Sequence, residues 1–168
     1  LGIPSNAVVL AFREITWKLK GFHFIKELLH KLHPQQPVCL LSFHDKGLMD
    51  EFNGKYQIID LGWVTDERQM VYAYNAADIF LMPSLAEGFG LMAAEAMACG
   101  KPVIIFEGTA LSEVVHAPEG GIAVSMGDCD ALLRATEHLI DNPKERRIIG
   151  GKALELARDA GDKAFERE

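Results

Sequence analysis

Two glutamates with seven residues between them, Glu87 and Glu95, enclose two glycines in Pro83-Ser84-Leu85-Ala86-Glu87-Gly88-Phe89-Gly90-Leu91-Met92-Ala93-Ala94-Glu95. Glycines at a strand-to-helix junction let a ligand come close to the backbone. The free N–H groups and positive helix end that follow suit a phosphate. Glu87, just before that helix, is an acceptor for hydroxyl groups. Glu95 stands among Leu91, Met92, Ala93, Ala94, Ala96, Met97 and Ala98. A carboxylate in so apolar a helix is at least half-buried and needs hydrogen-bond donors. The vicinal hydroxyls of a ribose would satisfy both of its oxygens. Each glutamate also has a bland reading, Glu87 as a solvated loop residue and Glu95 as a cap for neighbouring N–H groups. Strand end, Pro-Ser, two glycines and two carboxylates together favour a site.

Other reactive residue types carry less. His30 and His33, three apart on a helical stretch, have no third ligand nearby and read as a surface helix, so no metal is assigned. Ser84 and Ser112 lack a nucleophile-elbow pattern and His116 sits in a loop, which argues against a hydrolase triad.

The site needs strands and helices to hold it, and the chain alternates them. Val8–Phe12, Val38–Phe43, Gln57–Leu61, Ile79–Met82, Val103–Phe106 and Gly121–Ser125 are apolar runs of strand length. Between them lie helical stretches. Gly21–Leu32 places Phe22, Ile25, Leu28, Leu29 and Leu32 on one face. Asp66 with Gln69 resembles a capping box opening a helix to about Ala77, and a short helix spans about Gly47–Phe52. Gly90–Cys99 and Ala110–Val115 follow. Asp128 caps a helix carrying Leu132 and Leu139, and Asn142-Pro143 leads into a last helix reaching about Asp159. Strand, helix, strand throughout, with strands apolar on both faces, predicts an α/β fold: an open, doubly wound parallel sheet, Rossmann-like, as one domain over residues 1–168. Ligands in such sheets sit at the carboxyl ends of strands, so the loops after Phe12, Phe43, Leu61, Met82 and Phe106 are where to look.

The chain has 168 residues, 49% of them hydrophobic and 24% charged, with 17 Lys+Arg against 24 Asp+Glu and a net charge of −7. That excludes disorder and makes phosphate-backbone binding to nucleic acid a poor reading. No window approaches the roughly 20 apolar residues of a membrane span. Cys39, Cys99 and Cys129 are odd in number and widely spaced, which predicts reduced, buried thiols and a cytoplasmic location. The final helix, with Lys144, Glu145, Arg146 and Arg147, reads as a solvated face; a peripheral contact with an anionic membrane is the other reading.

Glu87-Gly88-Phe89-Gly90, with Glu95 inside Ala94-Glu95-Ala96-Met97-Ala98-Cys99-Gly100-Lys101-Pro102-Val103, resembles the signature of retaining GT-B glycosyltransferases of the group 1 (family 4) type. Leu61-Gly62-Trp63-Val64, Tyr74-Asn75-Ala76-Ala77-Asp78, Pro83-Ser84, Gly108–Val115 and Gly127-Asp128 are similar to the text flanking that signature. The resemblance covers nearly the whole chain. It implies a two-domain enzyme with its active site in the cleft between Rossmann-like halves, the C-terminal half binding a nucleotide-diphosphate sugar. Leu1-Gly2-Ile3-Pro4 resembles the start of that half, and the chain opens without an initiator Met. The expectation is a donor-binding domain whose acceptor-binding N-terminal partner is absent from this chain, so that the chain alone is inactive.

Carried onto this sequence, the resemblance implies that Glu87 contacts donor-sugar hydroxyls and Glu95 the ribose diol. The backbone of Gly88, Phe89, Gly90 and Leu91 would approach sugar and diphosphate, and the backbone near Trp63 and Val64 would read the base edge. Arg13 and Lys20, after the first strand, would neutralise the diphosphate, which needs fixed positive charge as it departs. With those cations and a helix N-terminus, neither metal nor cofactor is required. Two departures stand out: Phe12 replaces the usual Gly before the Arg, and the long segment Glu14–Leu19 lets Lys18 compete with Lys20. The loop Ser42-Phe43-His44-Asp45-Lys46-Gly47 also lacks the common Gly-rich turn. A sugar-nucleotide epimerase domain of the same fold and a non-catalytic nucleotide-binding module are the alternatives.

Overall fold

The computed structural model describes residues 2–165, so Leu1 of the expected opening segment lies outside the described residues, as do 166–168. The strands are β1 (Val8–Glu14), β2 (Val38–His44), β3 (Gln57–Asp60), β4 (Ile79–Met82), β5 (Val103–Phe106) and β6 (Gly121–Val124). The helices are α1 (Phe22–Lys31), α2 (Glu67–Ala76), α3 (Leu91–Ala98), α4 (Leu111–Val115), α5 (Cys129–Asp141) and α6 (Pro143–Phe165). All strands pair in parallel, in the order β3-β2-β1-β4-β5-β6. This is the doubly wound order, and its direction reverses between β1 and β4, where the crevice for a ligand opens.

Alternation along each strand sorts the core into two layers. Val8, Leu10 and Phe12 of β1, with Leu40, Leu81 and Ile104, pack under Phe22, Ile25, Leu28 and Leu29 of α1 and Leu132 and Leu139 of α5. Val9 and Ala11, with Leu41, Phe80 and Ile105, pack under Ala73 and Tyr74 of α2, Ala93 and Met97 of α3, and Ala153 of α6. Buried on both faces, these strands could not carry the alternating polar pattern of a half-exposed sheet.

Several boundaries differ from the sequence expectation. β1 continues past Phe12 because Arg13 and Glu14 pair with Phe43 and His44 of β2. Arg13 therefore belongs to a strand and not to the loop after it. The stretch 47–52 forms only a 3-10 turn at Asp50–Phe52, and α6 runs beyond Asp159. Asp66 caps α2 through the N–H of Arg68 at 2.8 Å, one residue short of the position a capping box uses. Arg146 is not part of a solvated face. Its Nη1 donates to the carbonyls of Leu139 (2.7 Å) and Ile140 (3.1 Å), which the end of α5 leaves without partners. Cys39 and Cys129 are buried, Cys99 is half-buried, and all three are free thiols. Among the described residues no helix is long and apolar enough to cross a membrane.

One polar group in this core was not foreseen. Glu14, at the end of β1, is fully buried. Its Oε1 accepts the N–H of Leu48, closing the loop after β2 onto the sheet. Its Oε2 and the Ser42 Oγ are enclosed without a well-aligned partner. Burial pushes the carboxyl above its ordinary 4.5, with Ser42 and the Leu48 amide pulling it only part of the way back. An acid with a raised native pKa holds its proton more tightly folded than unfolded, so its contribution to stability falls as pH rises from 4.5 through the native value. Glu14→Gln keeps the acceptor for Leu48 and cannot ionise. The stability difference between Glu14→Gln and the unchanged chain, read from urea melts, should grow in favour of the variant over that pH range and then level off. Glu14→Ala should be about 1–3 kcal/mol less stable than Glu14→Gln at every pH, because it strands the Leu48 N–H. A Gln-minus-Glu difference flat with pH would show that folding does not raise the Glu14 pKa.

Candidate functional site

Three segments converge where the sheet changes direction. β1 delivers Arg13, the 3-10 turn Lys18–Lys20 delivers Lys20, and the loop between β4 and α3 delivers Glu87 and the start of α3. Gly21 makes the approach of the first two to the third possible. It stands at φ +75°, and a Cβ there would lie 1.8 Å from the Pro83 carbonyl oxygen. With only hydrogen at that point, the turn lies directly on Pro83, and the N–H of Leu85 donates to the Leu19 carbonyl at 2.8 Å. This contact separates the two lysines. Lys18 is exposed, whereas Lys20 Nζ donates to Glu87 Oε2 at 2.8 Å, with side chains only 15% and 14% exposed.

Burial pushes the Glu87 carboxyl up, but the Lys20 hydrogen bond and charge, with the amides of Gly88 and Phe89, more than reverse that and hold it below its usual range. Glu87 is therefore an anion at neutral pH. The Lys20 ammonium has three donors, so contact with Glu87 leaves two for another anion. Gly90, at φ +79°, turns the chain into α3, whose first N–H groups have no intrahelical partner. Phe89 and Leu91 on either side are 70% and 59% exposed.

Next to this loop lies a cavity of about 390 Å³, lined by Arg13, Phe43, His44, Trp63, Val64, Met70, Leu91, Met92 and Glu95. That size and its mostly apolar wall suit a small organic ligand. Arg13 also lines a small neighbouring cavity together with Lys20 and Ser84, so the two cations are brought to one place. The Arg13 Nε is buried and has no hydrogen-bond partner among the described residues.

Glu95 is half-buried, as its apolar helix required, and the protein itself supplies a donor to one of its two oxygens. Oε2 accepts the hydroxyl of Tyr74 at 2.8 Å. Burial and the Glu95 contact drive the Tyr74 phenol far above its ordinary pKa, so it remains a donor at any working pH. Oε1 has no hydrogen-bond partner among the described residues. Tyr74 was missed as a site residue, although its place in the apolar stripe Met70, Ala73, Tyr74 of α2 marked it as a buried phenol in need of an acceptor. His44 was missed too, and only the cavity reveals it.

The family profile described as "Glycosyl transferases group 1" matches residues 6–142. A D-inositol 3-phosphate glycosyltransferase of Corynebacterium efficiens is 30% identical over 95% of this chain and 41% of its own length. The O-antigen chain mannosyltransferase B of Escherichia coli is 38% identical over 58% of this chain and 25% of its own. Among solved structures, the sucrose-phosphate synthase of Thermosynechococcus elongatus superposes with a TM-score of 0.80 at 26% identity, over 94% of this chain and 42% of that one. The Anabaena HepE protein, in complex with UDP-glucose, shares the fold at a TM-score of 0.76 and 23% identity, over 92% of this chain and 44% of that one. The chain thus spans less than half the length of these relatives.

The Tyr74–Glu95 pair makes a prediction about the cavity wall. Tyr74→Phe removes the donor from a charged, half-buried acceptor and should cost about 1–2 kcal/mol in a denaturant melt. Glu95→Gln should cost less, because its amide oxygen still accepts from the phenol. Equal losses would mean that the hydrogen bond is not what holds Glu95 in place.

Proposed function

Because this chain belongs to the group 1 glycosyl transferases, we propose that it is the donor-binding domain of a retaining glycosyltransferase that takes a nucleotide-diphosphate sugar. The acceptor would be held by an N-terminal domain outside this chain, a reading supported by relatives more than twice its length. The exposed Trp17, Phe89 and Leu91 near the site are an apolar surface of the kind a second domain would cover. A cytoplasmic location, where nucleotide sugars are made and thiols stay reduced, fits the three free cysteines.

The observation that carries the reading is the Arg13 guanidinium, its Nε enclosed and unpartnered, in the same cavity as a carboxylate with one oxygen to spare. A diphosphate answers the first and a ribose hydroxyl the second. Arg13 and two of the Lys20 donors bind the diphosphate, and the first amides of α3 point at it. Glu87, kept anionic by Lys20, accepts from hydroxyls of the donor sugar and fixes its orientation. As the bond from the anomeric carbon to the phosphate oxygen breaks, its electron pair stays on the leaving diphosphate. Fixed cations there stabilise the charge as it develops. The acceptor hydroxyl forms the new bond on the face the diphosphate leaves and gives its proton to the departing phosphate oxygen, which gives retention. UDP-glucose in the HepE neighbour supports a nucleotide sugar as the donor class.

Two measurements test this. Arg13→Ala and Lys20→Ala should each weaken binding of the matching nucleoside diphosphate by about 10- to 150-fold while leaving the nucleoside nearly unaffected, since charge-assisted hydrogen bonds are worth about 1.5–3 kcal/mol. Calorimetry with UDP against uridine, and GDP against guanosine, reads this directly; equal losses for both would remove the cations from the phosphate site. Separately, the 168-residue chain should bind nucleoside diphosphate yet transfer no sugar, because reacting groups must be held together and the acceptor side is encoded elsewhere. Radiolabelled transfer to any acceptor by this chain would overturn the division of labour.

A further inference from the structure

His44 is one of two non-glycine residues with positive φ among the described residues, at φ +109°. An imidazole-bearing residue rarely holds that conformation, and such strain persists only where surrounding contacts enforce it. Several do. The His44 N–H donates to the Gly62 carbonyl at 2.8 Å, and the next amide, Asp45, donates to the Glu14 carbonyl at 2.9 Å. The ring itself is held twice. Its Nδ1 lies 3.1 Å from Asp45 Oδ1, and its centroid is 4.3 Å from that of Trp63, edge to face at 68°.

The Asp45 carboxylate can only accept, so Nδ1 carries a proton, and in the neutral tautomer Nε2 is an acceptor. The ring is mostly buried, 20% exposed at the side chain, and lines the same cavity as Arg13 and Glu95. Trp63, by contrast, is 67% exposed, and the His44 ring is what braces its indole. Arg13 and Glu95 therefore share their cavity with a two-ring wall. A flat aromatic group stacks on such a wall with little regard to its identity, and a fixed acceptor adds preference for one with an N–H in reach.

Resting on the donor-binding reading above, we propose that the His44 side chain, oriented by Asp45 and braced against Trp63, is a base-recognition and specificity-determining residue of the nucleotide site. The backbone conformation explains why this role conflicts with local comfort. Glycine would fit φ +109° without strain but would leave the indole unsupported and the base without its acceptor.

The test uses the chain itself, with His44→Gly and His44→Asn, both of which tolerate positive φ and remove the ring. Affinities are measured for UDP, GDP and ADP, for their nucleosides, and for inorganic pyrophosphate, alongside the melting temperature. The proposal expects each variant to melt within about 3 °C of the unchanged chain or higher, since relief of strain offsets lost packing. It expects the preferred nucleoside diphosphate and its nucleoside both to weaken by about 10-fold, with pyrophosphate unchanged. Discrimination among the three bases should shrink with them. Undiminished nucleoside affinity and base preference in the variants would overturn the role of His44 while leaving the donor site standing. A parallel loss of pyrophosphate binding and melting temperature would also overturn it, by making His44 a scaffold for the whole site. Failure of the unchanged chain to bind any of the three diphosphates would sink the donor-binding reading and this inference together.

Discussion

The reversal of strand order between β1 and β4 is the constraint from which the site follows. The chain leaves β1 toward β2 and β3 on one side and returns to build β4, β5 and β6 on the other. Crossovers of one hand then pull the two loops apart at the carboxyl ends of neighbouring strands, and a crevice opens that side chains of the sheet alone do not fill. Arg13 stands at the end of one of these strands, and Pro83 opens the loop after the other. The contact of Gly21 with Pro83 bridges the gap at a distance only hydrogen permits, so that Lys20 reaches Glu87 from a turn 67 residues earlier in the chain.

An acidic chain of net charge −7 thereby keeps a locally cationic point. Most of its ion pairs lie on the surface, such as Lys31 with Glu27 and Asp130, where solvent screening leaves them little energy. Lys20 and Glu87 are different because both are largely enclosed. There a Coulomb interaction is stronger, and an unpaired charge is costly enough that the pair orients both side chains before a ligand arrives. Arg13, half-buried beside them, has an enclosed Nε without a partner among the described residues. The net charge of the whole chain says nothing of this arrangement.

The far wall of the crevice is held by groups that are uncomfortable in themselves. Glu14 is a buried carboxyl with one oxygen unmatched, and His44 holds a backbone conformation suited to glycine. They are adjacent in the ladder, since Glu14 pairs with His44 across β1 and β2. Glu14 fixes Leu48 and the Asp45 amide fixes itself to the Glu14 carbonyl, so the loop after β2 is pinned at both ends. Local stability is lost here in return for a defined position of the His44 and Trp63 rings, a trade common where a binding surface must be rigid before the ligand comes.

The order of elements and the two-faced burial of the strands were legible in the sequence, because periods of 2 and 3.6 are local properties of the chain. So was the junction of Glu87, Gly88 and Gly90 ahead of an apolar helix, since a strand end, a glycine and a misplaced carboxylate can be read within twenty residues. Only the tertiary structure decided which lysine meets Glu87, that Arg13 lies within a strand, that Tyr74 holds Glu95 and that Arg146 is tied to α5. It alone brought His44 to Trp63 beside them. Each of these depends on strand order, on register and on how closely one loop can lie on another. Those are set by contacts between segments up to scores of residues apart, and no periodicity within one segment encodes them.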